Sequence, residues 1–279
     1  MPATVLDKLH ATWPDLELSV CVLDRHKAPF ALHRHLELHR QMDTKLLSSP
    51  LLKELAYNVY FAGYHSKLPA PSGWSTLTHA LVKGGHVRVL RIEAQPGRHD
   101  TVVERSEPKK LMRLDFTPGM RLPFLEELTF HSEDKDRRSF YYSWDTEHCK
   151  LFREAIDVSR LRRLDFGSDI PTDLFSTLMG SLPNLKTLRF GIPPHGSVGV
   201  ANRFIESLPS LESLDIDLGQ LAIDKLWPTI MKRKGTLKEL ILRRPGHRDD
   251  IDRLQTLSNQ FPMLERLGWE VPCESNVRL

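Results

Sequence analysis

A short pattern of leucines recurs along this chain: leucine, two variable residues, leucine, one variable residue, then a large apolar residue. Such spacing is typical of a short strand, whose side chains point alternately to two faces. The first, fourth and sixth positions are predicted to face a packed interior, and the residues between them to lie on the open face of a sheet. Clear copies occupy 111–116, 125–130, 161–166, 185–190, 211–216, 237–242 and 264–269, and weaker copies occupy 13–18, 52–57 and 87–92.

The spacing of the later copies indicates a repeat protein. Their central leucines recur roughly every 24 to 27 residues, which is within the period of leucine-rich repeats. Strands that alternate with helices need crossover connections and therefore form a parallel sheet. We predict an α/β leucine-rich-repeat solenoid, with a curved parallel sheet on the concave side and helices on the convex side. The leucines concerned are Leu164, Leu188, Leu214, Leu240 and Leu267.

One such repeat buries too little apolar surface to be stable alone, so the repeats should stack into one body. We therefore assign residues 1–279 to a single leucine-rich-repeat domain. Residues 1–85 would form irregular N-terminal repeats, 86–270 more regular repeats, and 271–279 a tail. The tail is too short for another helix. Either it folds over the last strand, or that strand edge is prone to association, or part of the protein is missing.

Apolar residues at helical spacing predict the elements between the strands. Asp145 or Thr146 could cap one of these helices, and Pro228 should bend or restart another after Trp227. A Pro-x-Leu segment before several strands is expected to end the helix and release the chain as a strand. The predicted helices are 75–83, 146–157, 198–208, 220–234 and 249–260, and the Pro-x-Leu segments lie within 122–125, 182–185, 208–211 and 261–264.

Most of the longer connections follow strands, and in a parallel solenoid they would emerge at one rim. Insertions confined to one edge are typical of a binding edge, although this rim is alternatively just where packing permits longer loops. Within 131–145, aromatic residues either contribute to an interface or cover the next helix as local core. The long connections are 61–74, 95–110, 131–145, 191–199 and 243–250, and the candidate binding residues of the third are His131, Phe140, Tyr141, Tyr142 and Trp144.

The predicted open face carries charges of alternating sign, which make it either a solvated surface that neutralises itself or a charged docking surface. Exposed ion pairs contribute only about 0–1 kcal/mol each. In the connection at 243–250, arginines are either solvated or contact a phosphate or an acidic peptide. The signs are expected to alternate between neighbouring strands: Arg91 with Asp115, Arg113 with Glu127 and Arg163, and Asp165 with Arg189 and Asp215. The candidate partner-binding residues here are Arg91, Arg113, Asp115, Asp165, Arg189, Asp215 and Arg243.

Composition limits the classes of function. The net charge is +3 over 279 residues with both signs plentiful, so a broad electrostatic attraction to nucleic acid or membrane is not indicated. No apolar run is long enough to span a membrane, and the N-terminus lacks the apolar core of a secretory signal. Three widely spaced cysteines favour a reducing compartment, the cytoplasm or the nucleus.

Candidate chemistry is sparse. His35 and His39 would share a helix face, but the order His-x-Glu-x-His differs from the zinc-protease motif. His148 and Cys149 are adjacent and cannot both enter one helical site, and no Cys-x-x-Cys pair occurs. Residues 232–234 are either a localisation signal or the basic last turn of a helix. We expect no catalytic, metal-binding or cofactor-binding residues, and therefore a non-enzymatic chain.

The strings TEHCKLFREAIDVSRLRRLDFG (146–167) and LLSSPLLKELAYNVYFAGYHSKLP (46–69), with the LPNLKTLRF type of repeat, resemble the repeat region of fungal F-box proteins with irregular leucine-rich repeats. This resemblance implies a substrate receptor of a Cullin-RING ubiquitin ligase, in which an F-box binds a Skp-type adaptor and the repeats hold the target protein. No F-box-like segment precedes the repeats here, so the adaptor is expected only if an F-box lies upstream. The alternative is a free-standing scaffold or inhibitor that binds an unidentified protein partner.

Overall fold

The protein is described by a computed structural model. It divides into two compact units, Met1–Val158 and Ser159–Leu279. The predicted single repeat domain stays a prediction. The residues that the structure describes are 3–22, 46, 49–61, 77–78, 81–82, 85–96, 116–132, 144–167, 171–192, 198–218, 223–243 and 250–269.

Among the described residues, nine strands follow one another in chain order and pair in parallel within each unit, with helices between strands. The predicted α/β class with a parallel sheet is therefore confirmed. The strands are β1 (Leu18–Val22), β2 (Leu52–Phe61), β3 (Val89–Pro96), β4 (Glu127–Ser132), β5 (Arg163–Asp165), β6 (Thr187–Gly191), β7 (Ser213–Asp217), β8 (Glu239–Arg243) and β9 (Arg266–Trp269). The helices are α1 (Ala3–Thr12), α2 (Thr146–Ala155), α3 (Thr172–Leu178), α4 (Val198–Glu206), α5 (Trp227–Met231) and α6 (Asp250–Gln260), with 3-10 turns at Val158–Arg160 and Ile223–Lys225.

In the first unit, β1 to β4 pair in parallel, each with the next along the chain. The strands predicted at 52–57, 87–92 and 125–130 are confirmed. In the described part of the predicted 75–83 helix, 77–78 and 81–82 are helical. Gly85 follows with a φ of +64°, a left-handed conformation that glycine adopts without steric cost. Its amide donates to the carbonyl of Leu81, as expected at the end of a helix.

Two predictions for the first unit are wrong. The strand expected at 13–18 begins only at Leu18, because α1 ends at Thr12 and Pro14 lies in a turn. The expected pairing of Arg91 with Asp115 fails, because β3 pairs directly with β4 and places Arg91 opposite Thr129. The copy at 111–116 is too close to β4 for a crossover, which needs a dozen or more residues plus the strands themselves; apart from Phe116, it lies outside the described residues.

In the second unit, β5 to β9 repeat a single register. The central leucines of consecutive strands stand opposite one another in every pair. Four of them are fully buried, whereas Leu267 on β9 is 40% exposed. Each internal strand buries its leucine between two neighbours, and β9 has a described neighbour on one side only. The other four leucines are Leu164, Leu188, Leu214 and Leu240.

Helices pack on the leucine side of the second unit. The predicted helices correspond to α4, α5 and α6, and α5 restarts at Trp227 with Pro228 in its first turn, as expected. Helix α3 was not predicted; it buries Phe175, which stacks on Phe204 of α4 with ring centroids 4.1 Å apart. The three Pro-x-Leu segments of this unit form turns, as where the amide of Leu264 donates to the carbonyl of Phe261, whereas the segment at 122–125 in the first unit does not. Proline suits the second position of such a turn.

Candidate binding surface

The open face of the second unit consists of the residues on β5 to β9 that alternate with the buried leucines. Because successive side chains of a strand point to opposite faces, these residues share the side away from the helices. In the described strands, this open face holds four arginines and four carboxylates. They are Arg163, Arg189, Arg243 and Arg266, and Asp165, Asp215, Asp217 and Glu239.

Five of these residues form a continuous arginine–aspartate ladder. Arg163 Nη2 lies 3.4 Å from Asp165 Oδ2, and Arg189 Nη1 lies 3.9 Å from the same oxygen. Arg189 Nε lies 3.4 Å from Asp215 Oδ2. Arg243 donates two hydrogen bonds to Asp215, from Nε to Oδ1 and from Nη2 to Oδ2, each 2.9 Å long. The predicted alternation of sign over Asp165, Arg189 and Asp215 is confirmed, with Arg189 between the two aspartates.

The contact between Arg243 and Asp215 was not predicted, because Arg243 was assigned to the connection after the strand. It is the last residue of β8, two positions beyond Ile241, which stands opposite Asp215. The apolar Ile241 offers Asp215 no partner, and diagonal neighbours on paired strands are within reach of long side chains. The sequence did contain a signal for this contact, because strand alternation places residues 239, 241 and 243 on the same face.

The aspartates of the ladder are buried, although the open face was expected to be solvated. Asp165 and Asp215 are both buried residues, whereas Arg163 remains largely exposed. Asp165 Oδ1 also accepts a 2.8 Å hydrogen bond from the amide of Gly167. Burial of a carboxylate is costly unless charged partners and donors compensate it. The guanidinium groups therefore cover the carboxylates and hold the ladder in one geometry.

A second row of charges crosses the start of β6, β7 and β8. Glu212 Oε1 lies 2.7 Å from Lys186 Nζ, and Glu212 Oε2 lies 2.8 Å from Lys238 Nζ. The hydrogen bond from Lys186, followed by that from Lys238, lowers the pKa of Glu212 to about 2. Glu212 in turn raises the pKa of Lys238. The row thus links the residues that directly precede β6, β7 and β8.

Further contacts extend the open face to β9. Ser213 Oγ donates a 2.7 Å hydrogen bond to Glu239 Oε2. Glu239 Oε1 lies 3.0 Å from Arg266 Nη1. Together with the ladder, these side-chain contacts link all five strands of the second unit.

Of the remaining candidates in the first unit, the structure describes Arg91, His131 and Trp144. Arg91 forms an ion pair with Glu54 on β2, and His131 lies on β4 opposite Glu93. Arg113, Asp115, Phe140, Tyr141 and Tyr142 lie outside the described residues. So does most of the predicted rim of long connections.

Trp144 is half-buried in an aromatic cluster of the first unit. Its ring lies edge-on to Phe130 and Phe152, with centroids 5.1 and 5.7 Å away, and 5.9 Å from His148. Asp145 caps α2 by accepting a 3.0 Å hydrogen bond from the amide of His148, so one of the two predicted caps is confirmed. For Trp144, the structure favours the alternative in which the ring covers the next helix.

Two residues of the basic 232–234 segment are tied to α4. Lys232 Nζ donates a 2.7 Å hydrogen bond to Glu206 Oε1, and Arg233 Nη2 donates one of 2.7 Å to the carbonyl of Ile205. The hydrogen bond from Lys232 lowers the pKa of Glu206. The segment follows the last turn of α5 rather than forming it, and these contacts support a structural role for its first two residues.

Neither a metal cluster nor a membrane span emerges from the described part of the chain. Its residues include no group of three His, Cys, Asp or Glu side chains placed to bind a metal ion. His35 and His39 lie outside it. None of its helices has the length and apolar character needed to cross a bilayer.

The chain matches no protein-family model, and neither the curated proteins nor the solved structures contain a match to it.

Proposed function

We propose that this chain is a non-enzymatic, protein-binding leucine-rich-repeat protein, and that the open face of the second unit contacts its protein partner. The observation that carries the proposal is the arginine–aspartate ladder. Its guanidinium groups are partly exposed and are held in place by buried aspartates. A surface whose side chains are already fixed loses little entropy on binding, and arginine is enriched among residues that dominate interface energetics.

The rigidity of the underlying strands supports this proposal. The opposite side of β5 to β8 is a fully buried row of leucines, and these strands share one register. Sites on such elements are held more precisely than sites on loops. We also propose that the repeats form a leucine-rich-repeat solenoid, since strands at this period with helices on one side curve toward the strand side.

The resemblance to fungal F-box proteins supports a more specific role, as the substrate-recognition region of a ubiquitin-ligase receptor in the cytoplasm or nucleus. The alternative is a free-standing scaffold or inhibitor. Reading the genomic sequence upstream of Met1 separates the two roles. An F-box encoded in frame there, together with co-elution of the longer protein and a Skp-type adaptor on size exclusion, supports the ligase role. An upstream sequence without an F-box, together with partner binding in the absence of the adaptor, supports the free-standing role.

The protein-binding role is tested by affinity capture with matched variants. Arg163→Gln combined with Arg266→Gln removes two exposed charges from the open face. Arg203→Gln combined with Lys225→Gln removes the same charge from exposed positions on the helical side. We expect the wild-type chain and the helical-side variant to retain the same partner from cell extract, and the open-face variant to lose it. Equal recovery by both variants would refute the proposal.

A further inference from the structure

We propose that the open face of the second unit recognises an acidic peptide segment, one rich in glutamate or aspartate. This inference rests on the proposed protein-binding function and names the chemistry of the partner. The positive and negative side chains of the ladder differ in how far they are exposed to solvent.

The cations of the ladder are more exposed than its anions. The side chains of Arg163, Arg189 and Arg243 are 45%, 27% and 39% exposed. Those of Asp165 and Asp215 are only 4% and 12% exposed. The ladder has three arginines for two aspartates, and the charge that it exposes to a partner is mainly that of guanidinium groups.

The same asymmetry recurs in the neighbouring ion pairs. Lys186 and Lys238 are each more exposed than Glu212, which lies between them. Arg266 is much more exposed than Glu239. Coulomb energy falls with distance and is weakened by solvent screening, so a docked partner interacts most strongly with the outer, positive groups.

Arg189 at the centre of the ladder retains capacity to bind a carboxylate. Its contacts with Asp165 and Asp215 are 3.9 and 3.4 Å long, beyond the usual N–H···O range of about 2.7–3.2 Å. Within the described part of the chain, its guanidinium group makes no side-chain hydrogen bond. A carboxylate of the partner can accept two parallel hydrogen bonds from such a group, which is the geometry that arginine favours.

The balanced number of charges favours a peptide over a nucleic acid. Binding to a phosphate backbone draws its affinity from lysines and arginines that neutralise many phosphates and release counterions. Here the open face holds as many carboxylates as arginines, so little net charge remains for a continuous polyanion. Local contacts with a few carboxylates fit the arrangement better.

Fluorescence anisotropy of the full chain with labelled probes tests this inference. The probes are a short peptide of alternating glutamate and serine, the same peptide with glutamine or lysine in place of glutamate, and a short oligothymidylate. We expect saturable binding of the glutamate peptide, weakened by salt, and weaker binding of the other three. Preference for the lysine peptide or the oligothymidylate, or no binding of the glutamate peptide, would overturn the inference.

The matched double variants locate the binding. In the variant Arg163→Gln with Arg266→Gln, the affinity for the glutamate peptide should fall about tenfold for each charge-assisted hydrogen bond that is lost. Arg203→Gln with Lys225→Gln should bind as the wild type does, since both residues lie on the helical side; it has the same net charge as the open-face variant and so controls for the loss of two charges. Equal weakening of both variants would overturn the inference. Circular dichroism melting checks folding, and Arg266→Gln alone replaces the open-face variant if the double substitution unfolds.

Competition separates failure of this inference from failure of the proposed function. If the open-face variant loses the captured partner but excess glutamate peptide does not displace that partner from the wild type, the acidic specificity is wrong and the protein-binding role stands. If the open-face variant captures the partner as well as the wild type does, the proposed function itself fails.

Discussion

At the scale of single residues, the main finding is that Asp165 and Asp215 are buried beneath arginines. The sequence predicted that their charges alternate in sign with that of Arg189. It could not predict their burial, since that depends on where the guanidinium groups lie and on the amide of Gly167 that binds Asp165. It also missed Arg243, because the end of a strand is the least certain part of a pattern.

Arg243→Met is expected to destabilise the fold. It would leave the buried carboxylate of Asp215 without its two 2.9 Å hydrogen bonds, at a cost of about 1–3 kcal/mol. Adding Asp215→Leu should recover much of that loss, because no unpaired charge then stays buried. Urea unfolding of both variants measures this effect. A double variant at least as unstable as Arg243→Met would argue against the burial of an unpaired charge as the cause.

The pH dependence of stability should reveal the ion pairs of Glu212. Its pKa in the folded chain is about 2, below its ordinary value of 4.5. The unfolded chain therefore takes up the proton first as pH falls, so the stabilisation is complete above about pH 4.5 and disappears toward pH 2. Unfolding free energies of the wild type and Glu212→Gln should converge across this interval. A difference that is independent of pH would contradict the assignment.

At the scale of elements, the recurring leucines predicted most strands correctly, because each one must enter the same buried row. Helix α3 escaped detection because its serine, threonine and aspartate residues have modest helix propensity. It exists because Phe175 stacks on Phe204, a tertiary contact that overrides propensity. At 13–18 a strand was predicted where none forms before Leu18. Helix α1 and the turn at Pro14 hold that stretch outside the sheet.

Two leucines at the same position of the repeat provide a matched test of stacking. Leu214 is fully buried between neighbouring strands, whereas Leu267 is 40% exposed. Leu214→Ala should therefore cost about 2–5 kcal/mol through lost burial and a cavity. Leu267→Ala should cost much less, since less apolar surface returns to water. Thermal unfolding of each variant measures the difference, and similar losses at the two sites would contradict the stacked register.

At the scale of the whole molecule, each unit carries a parallel sheet, and the second adds a charged open face to it. The sequence predicted this architecture class, and its balanced charge is consistent with a face whose ion pairs are internal. Residue counts alone could not indicate which sign would face outward. The sign that faces outward depends on which side chains are buried. Because the carboxylates are the more buried groups, the open face has its proposed preference for acidic partners.

The most direct test of the binding surface is lysine footprinting by acetylation, read by mass spectrometry, with and without the captured protein partner. Lys186 and Lys238 directly precede the open-face residues Thr187 and Glu239 at the start of β6 and β8, whereas Lys225 lies on the helical side of the same unit. We predict that the partner protects Lys186 and Lys238 and leaves the reactivity of Lys225 unchanged. Protection of Lys225 with continued reactivity of Lys186 and Lys238 would contradict a binding site on the open face.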